Sequence, residues 1–289
     1  MAWVLRGPAV YMLAIPVLGI AGDAVAHVTG RPLRNYGLFQ GLIAAFGVLS
    51  FGAWAQGPRS INTVLWALWA LAVALPVLGL LGGLGESLRH ARPRADGGLV
   101  ASLVALVVLL GGVLVGVVIA LDSAGSGTLF DFEPVALSGA QSLFVITAAV
   151  IGVVAGSAHW SPQIWGARSK ATTVTGASLL LAAGGALVGL VLAVDVFLVA
   201  NDVDASTALG VLSAVGALLM CVGVLAALSA SMGSARVAYE RGDTGPSEAT
   251  GLTLEWQVPW PAVGAERTIA LPEEFTSPYP FAATEEASR

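Results

Sequence analysis

The sequence is poor in the residues from which most protein sites are built. Its 289 residues include one cysteine, Cys221, and three histidines, His27, His90 and His159. A lone cysteine excludes an intrachain disulfide and any zinc site built from several cysteines. Charged residues make up 11% of the chain, whereas a soluble domain carries roughly 25%. The net charge of −5 provides no basic surface for nucleic acid.

Long apolar runs take the place of the missing polar residues. The chain is 56% hydrophobic and has a mean hydropathy of +0.84. A helix that crosses the hydrocarbon core needs roughly 20 mostly apolar residues, and the runs here do not alternate as the strands of a membrane barrel do. The sequence therefore predicts an all-α, multi-pass membrane bundle of about seven transmembrane helices. The predicted spans are residues 8–29, 37–56, 62–85, 99–121, 136–159, 173–199 and 206–232.

The positions of the basic residues predict the orientation of this bundle. One set of loops carries most of them: Arg31, Arg34, Arg89, Arg92, Arg94, Arg168, Lys170, Arg236 and Arg241. The opposite loops are mainly acidic. Because cytoplasmic loops are enriched in Lys and Arg, we expect the N-terminus outside and the C-terminus in the cytoplasm of a cell-membrane protein. We expect residues 1–241 to form the bundle and the proline-rich residues 242–289 to form an extended cytoplasmic tail.

Glycine is abundant within the predicted spans. The chain has 36 glycines, and the run GLLGGLG at residues 79–85 has a spacing that resembles a phosphate-binding loop. This run lies inside an apolar span, where small residues let neighbouring helices approach closely. We therefore interpret these glycines as helix-packing residues and expect a tight bundle.

Four segments together resemble a known family. They are WVLRGPAVYMLAIPVLGI at residues 3–20, FGVLSFGAWAQG at 46–57, AGSAHWSPQIWG at 155–166 and TGLTLEW at 250–256. In this order, they are similar to motifs in the C-terminal half of subunit I of the haem–copper oxidases, of the cytochrome c oxidase type found in actinobacteria. The resemblance implies that the predicted spans correspond to the sixth to twelfth helices of that subunit.

The resemblance also shows where the metal ligands of the family would lie. Its copper and haem histidines fall on Gly7, Gln56, Gly57, Ala140 and Ser142, while Tyr11 keeps the tyrosine of the first motif. Haem iron needs an axial His, Met, Cys or Tyr, and copper needs imidazole or sulfur. Glycine and alanine offer no donor atom, and an amide oxygen is a poor ligand for copper(I). We therefore expect no haem, no copper and no catalytic residue in this chain.

A few polar residues within or near the spans leave two interpretations open. Asp23 and His27 lie four residues apart on one predicted helix, which suits either a proton relay or a surface ion pair. Asp195 suits either an ion path or an interface with the headgroups, because intramembrane charges are costly and are often functional. Tyr11, without the histidine partner of the family motif, is expected to pack or to form a hydrogen bond.

These observations lead to three hypotheses for function. The first is a cofactor-free, non-catalytic subunit I-like protein that serves as an accessory or structural subunit of a respiratory cytochrome c oxidase complex. Its expected partners are other oxidase subunits, a chain that supplies the N-terminal helices, and membrane lipid. The second is one half of a split oxidase, although the N-terminal half of the family would not supply the missing ligands. The third is a transporter or channel that uses the intramembrane carboxylates.

Overall fold

The structure is a computed structural model, and the regular secondary structure of its described residues is α-helical. It describes residues 11–52, 63–91, 96–124, 134–165, 167–201 and 203–241. The helices in these residues are α1 (Ile15–Thr29), α2 (Tyr36–Gly52), α3 (Thr63–Arg89), α4 (Gly97–Ala124), α5 (Pro134–His159), α6 (Ser161–Trp165), α7 (Ala171–Ala200) and α8 (Ser206–Arg241).

Five of these helices, α3, α4, α5, α7 and α8, are long and apolar enough to cross a membrane. This confirms the prediction of an all-α membrane bundle. Helices α1 and α2 are also apolar, and the structure describes 15 and 17 residues of them. In a bilayer, each of these helices satisfies its backbone hydrogen bonds internally, which is why such a sequence forms helices.

Two helices extend beyond the spans that hydropathy predicts. Helix α3 continues to Arg89 and α8 continues to Arg241, past the expected ends at residues 85 and 232. The backbone hydrogen bonds of a helix do not stop where the apolar side chains stop, and Ala, Glu and Arg favour continuation. The short helix α6 was not predicted, because a single turn of this length leaves no hydropathy signal.

Helix α1 lies at the centre of the first five helices. It contacts α2, α3, α4 and α5, and these four helices also pack against one another in chain order. The core between them contains fully buried side chains from several helices, including Leu18 of α1, Phe46 of α2 and Ile151 of α5. Helix α7 packs against α4 and α5, and α8 packs mainly against α7.

The turn between α1 and α2 has a defined geometry. Gly30 ends α1 in the left-handed conformation with φ of 60°, and its N–H donates to the carbonyl of His27 while the N–H of Arg31 donates to that of Ala26. This is the Schellman arrangement, in which glycine avoids the steric cost of positive φ. Asn35 also has positive φ, 56°, just before α2 begins.

Helices α7 and α8 approach each other at backbone distance. A Cβ atom added to Gly184 would lie 2.5 Å from the carbonyl oxygen of Gly216, and one added to Gly216 would lie 2.9 Å from that of Gly184. Small residues at such crossings allow close van der Waals packing between membrane helices. The remaining faces of α8 are largely open, since only 11% of its most apolar 18 residues are buried.

Candidate functional site

A carboxylate–histidine pair joins the central helix to α5. His159 is the last residue of α5, and its Nε2 lies 2.7 Å from Oδ2 of Asp23 on α1. The His159 side chain is 1% exposed and the Asp23 side chain is 23% exposed. The hydrogen bond between these two side chains is thus largely withdrawn from water.

Asp23 therefore contacts a different histidine from the one that sequence spacing suggests. The imidazole ring of His27 packs edge-on against His159, with ring centroids 5.2 Å apart and an interplanar angle of 85°. The three side chains form one group, which we call the histidine cluster: Asp23, His27 and His159. The contribution of His159 was missed because 136 residues separate it from Asp23, and no short-range pattern can pair residues so far apart.

The start of α4 closes over the histidine cluster. A Cβ atom added to Gly98 would lie 3.1 Å from the backbone nitrogen of His159, so α4 and α5 are in backbone contact there. Asp96 immediately precedes α4, and Trp160 packs its ring against His159 at 5.2 Å. Asp96 and the exposed Arg168 also interact electrostatically with His27.

The histidine cluster brings one carboxyl group and two imidazole rings together. Among the described residues, no three His, Cys, Asp or Glu side chains are arranged to hold a metal ion. Carboxyl and imidazole groups in contact can pass a proton between them. The cluster sits where α1 and α5 end, as the positions of His27 and His159 in the sequence suggested.

Further polar contacts lie at the same end of the bundle, which we call the histidine end. Arg34, before α2, places Nη1 3.3 Å from Oε1 of Glu86 on α3, and His90 contacts both residues. Ser169, before α7, shares a hydrogen bond of 2.8 Å with Ser234 of α8. These contacts join the segment before α2 to α3 and the segment before α7 to α8.

Tyr11, the tyrosine of the first motif-like segment, forms a polar contact with α5. The side-chain amide of Gln141 donates a hydrogen bond to its hydroxyl. The ring of Tyr11 is 7% exposed, and it packs edge-on against Phe46 with centroids 5.8 Å apart. Sequence reasoning expected Tyr11 to pack or to form a hydrogen bond, and the structure shows both.

Helices α4 and α5 and the segment before α1 meet directly at this contact. A Cβ atom added to Gly116 of α4 would lie 2.5 Å from Nε2 of Gln141 and 3.0 Å from the Tyr11 hydroxyl. Ala140, beside Gln141, is fully buried, and Ser142 is partly buried. Neither the methyl group of Ala140 nor the aliphatic hydroxyl of Ser142 binds haem iron. The side chains of Tyr11 and Gln141 are hydrogen-bonded to each other. The described residues of this region do not fit a haem.

The other residues that the resemblance singled out are not part of this contact. Gly7, Gln56 and Gly57 lie outside the described residues.

The acidic residues at the opposite end of the bundle do not join the histidine cluster. Asp195 lies in the last turns of α7 and is partly buried, so Asp23 and Asp195 are separated by most of the length of the bundle. Asp204 precedes α8, where the backbone N–H and the hydroxyl of Ser206 both donate to its Oδ1. These two hydrogen bonds hold the pKa of Asp204 below its ordinary value.

Comparison with known proteins adds no relative to this description. No protein-family model matches the chain, and no curated protein matches it. Helix length and hydropathy establish a multi-pass membrane protein. Any more specific function must be argued from the residues and contacts described above.

Proposed function

We propose that the chain is a cofactor-free membrane subunit, built like the C-terminal half of haem–copper oxidase subunit I, and that it serves as an accessory or structural subunit of a respiratory oxidase complex in the cell membrane. Four motif-like segments in the order of that family support the proposal. In this arrangement, α1 and α2 are membrane spans along with the five longer helices. The basic loops at the histidine end then face the cytoplasm.

One contact carries the cofactor-free part of this proposal. The family's haem-binding segment falls on residues 140–142, where Gln141 donates to Tyr11 and Ala140 is fully buried. A glutamine–tyrosine hydrogen bond satisfies both side chains without a metal. A chain with these residues keeps the shape of a bundle without the histidine ligands of the family, which suits a structural role.

The exposed apolar surface of α8 supports a role within a complex. Its apolar stretch, Ser206–Val237, runs for 32 residues, and 11% of the most apolar 18 residues in it are buried, with Leu218 and Leu225 more than 60% exposed. Lipid covers such a face in an isolated chain, and transmembrane helices of a partner cover it in a complex. Since lipid tails are as apolar as leucine, a partner helix binds there through packing and not through a hydrophobic driving force.

The histidine cluster favours a second candidate function, proton transfer or transport. Asp23 contacts a His159 side chain that is 1% exposed, and buried carboxylate–imidazole pairs are the usual elements of proton relays in membrane proteins. A complete path also requires a polar route toward the opposite end. There, Asp195 is the partly buried carboxylate that such a route would use.

The deciding experiment is purification of the tagged chain from native membranes in mild detergent, followed by mass spectrometry and a reduced-minus-oxidised spectrum of the same sample. We expect oxidase subunits to co-purify and to account for all the haem. A colourless chain that purifies alone would contradict the accessory role and leave proton transport as the candidate. A haem spectrum from the isolated chain would contradict the cofactor-free assignment.

A photo-crosslinking amino acid placed on α8 sharpens the same experiment. At Leu218, which is 63% exposed, it should crosslink to a partner helix. At Leu181 of α7, which is fully buried, it should crosslink only within the chain. Equal crosslinking to a partner from both positions would show that the partner does not bind the outer face of α8.

A further inference from the structure

A groove between α2 and α3 opens at the histidine end. Its apolar walls include Leu38 and Leu42 of α2, and its floor includes Gly79 and Gly83 of α3. Arg34 and Glu86 line its mouth. From Gly79 to Glu86 at the mouth, α3 rises by about 10 Å at 1.5 Å per residue, which is about two thirds of the roughly 15 Å thickness of one leaflet of the hydrocarbon core.

Three glycines of α3 near this groove do not pack against other described residues. A Cβ atom added to Gly82, Gly83 or Gly85 would meet no other described heavy atom within 4 Å, and one added to Gly79 would meet only Leu42, at 3.0 Å. Among the described residues, the interpretation of the GLLGGLG run as helix-packing glycines therefore has a contact behind it at Gly79 and none at the other three. Each glycine in a helix interior costs about 1 kcal/mol relative to alanine, and no contact among the described residues offsets that cost at these three.

The mouth of the groove carries an arginine whose ion pair is weak. The Arg34 and Glu86 side chains are 56% and 46% exposed, and ion pairs with such exposure contribute little. Arg31 and Arg89 are exposed residues near Arg34 and Glu86 in the sequence, so basic side chains outnumber acidic ones here. An excess of basic residues at the level of the headgroups attracts anionic lipids.

We propose that this groove is a binding site for one anionic phospholipid, with its phosphate at Arg34 and one acyl chain over Gly79 and Gly83. The apolar walls match an acyl chain, the length matches the part of that chain nearest the headgroup, and the charge at the mouth matches a phosphate. The open glycine surface provides the space that the chain fills. This site is independent of the oxidase proposal, because it depends only on the bundle lying in a membrane.

The test is native mass spectrometry of the full chain in mild detergent, titrated with phosphatidylglycerol or with phosphatidylcholine of the same acyl composition. We expect one tightly bound phosphatidylglycerol per chain and weaker retention of phosphatidylcholine. Arg34→Gln should lower phosphatidylglycerol affinity about fivefold, the effect of one basic residue near an anionic headgroup. Glu86→Gln removes the same ion pair but leaves the arginine, so it should raise that affinity.

Two substitutions in one turn of α3 test the acyl-chain part of the site. Gly83→Leu fills the groove and should abolish retention of both lipids. Gly82→Leu adds the same side chain on the adjacent exposed surface, which does not line the groove, and should leave retention unchanged. Leu42→Trp fills the groove from α2, so the test does not depend on one variant. Thermal stability of each variant, measured without added lipid, verifies that it folds.

Three results would overturn the proposal. The first is equal phosphatidylglycerol affinity in Arg34→Gln, Glu86→Gln and the wild type, which would remove the headgroup contact. The second is displacement of the lipid by inorganic phosphate alone, which would indicate an anion site without an acyl chain. The third is unchanged lipid retention in Gly83→Leu together with loss of a co-purifying membrane protein, which would assign the groove to a partner helix.

Discussion

Breaking the contact between Asp23 and His159 should destabilise the bundle more than breaking any other polar pair among its described residues. Asp23→Asn removes the charge at nearly constant volume, and His159→Phe removes the imidazole while keeping a ring. Because His159 is 1% exposed, Asp23→Asn replaces the carboxyl partner of the imidazole by a neutral amide, and His159→Phe leaves Asp23 without the imidazole, both in a site that holds little water. We expect each single substitution to lower the free energy of unfolding by about 2 kcal/mol.

The coupling energy of the pair distinguishes a charged contact from an ordinary one. A hydrogen bond to a charged group contributes about 1.5 to 3 kcal/mol, whereas hydrogen bonds between membrane helices average about 0.6 kcal/mol. Removing one partner of a fully buried ion pair costs roughly 3 to 5 kcal/mol, and the 23% exposure of Asp23 reduces that value. We therefore expect a coupling energy near 2 kcal/mol from the double-mutant cycle.

The assay is reversible unfolding of the purified chain in mixed lipid–detergent micelles by added SDS, measured for the wild type, both single variants and the double variant. The matched control is the same cycle on Arg34 and Glu86, which lie at the same end of the bundle but are about half exposed. That pair should show a coupling below about 1 kcal/mol. A coupling of about 0.6 kcal/mol or less for Asp23 and His159, or one equal to the control, would refute the reasoning.

Three further predictions concern packing, the glutamine–tyrosine contact and topology. Gly184→Ala should destabilise the chain by about 1 to 3 kcal/mol, since its Cβ would lie 2.5 Å from a backbone oxygen of α8, while Gly176→Ala, with open space around its Cβ, should not destabilise it in the same SDS titration. Tyr11→Phe should cost about 0.6 to 1.7 kcal/mol, and an unchanged titration midpoint would contradict the hydrogen bond. In a cysteine-free background, Lys170→Cys should react with an impermeant maleimide only from the cytoplasmic side and Asp204→Cys only from outside; the reverse pattern would invert the predicted orientation.

The helices of this protein follow from local composition. A run of about 20 apolar residues has no low-energy alternative to a helix in a bilayer, so hydropathy alone located the five long helices that the structure confirms. The ends of the helices were less predictable. High hydropathy ends where a helix leaves the membrane, but its backbone hydrogen bonding can continue past that point. For this reason α8 runs on to Arg241.

The contacts between helices were not predictable in the same way. The spacing of Asp23 and His27 suggested a pair within one helix, but the tertiary structure directs Asp23 to His159, 136 residues away. Likewise, nothing in the local sequence indicates that Gln141 reaches Tyr11, 130 residues away. In both cases, the partner depends on how α5 packs against α1 and the segment before it.

By itself, the sequence determined that this is a multi-pass bundle of apolar helices and placed its histidines at helix ends. It also determined which donor atoms residues 140–142 lack. Only the tertiary structure decided which side chains meet, and it showed that Gly82, Gly83 and Gly85 near the α2–α3 groove meet no other described residue. The physical reason is that helix formation in a membrane depends on residues within one segment, whereas each side-chain contact depends on the rotation and crossing of two separate helices.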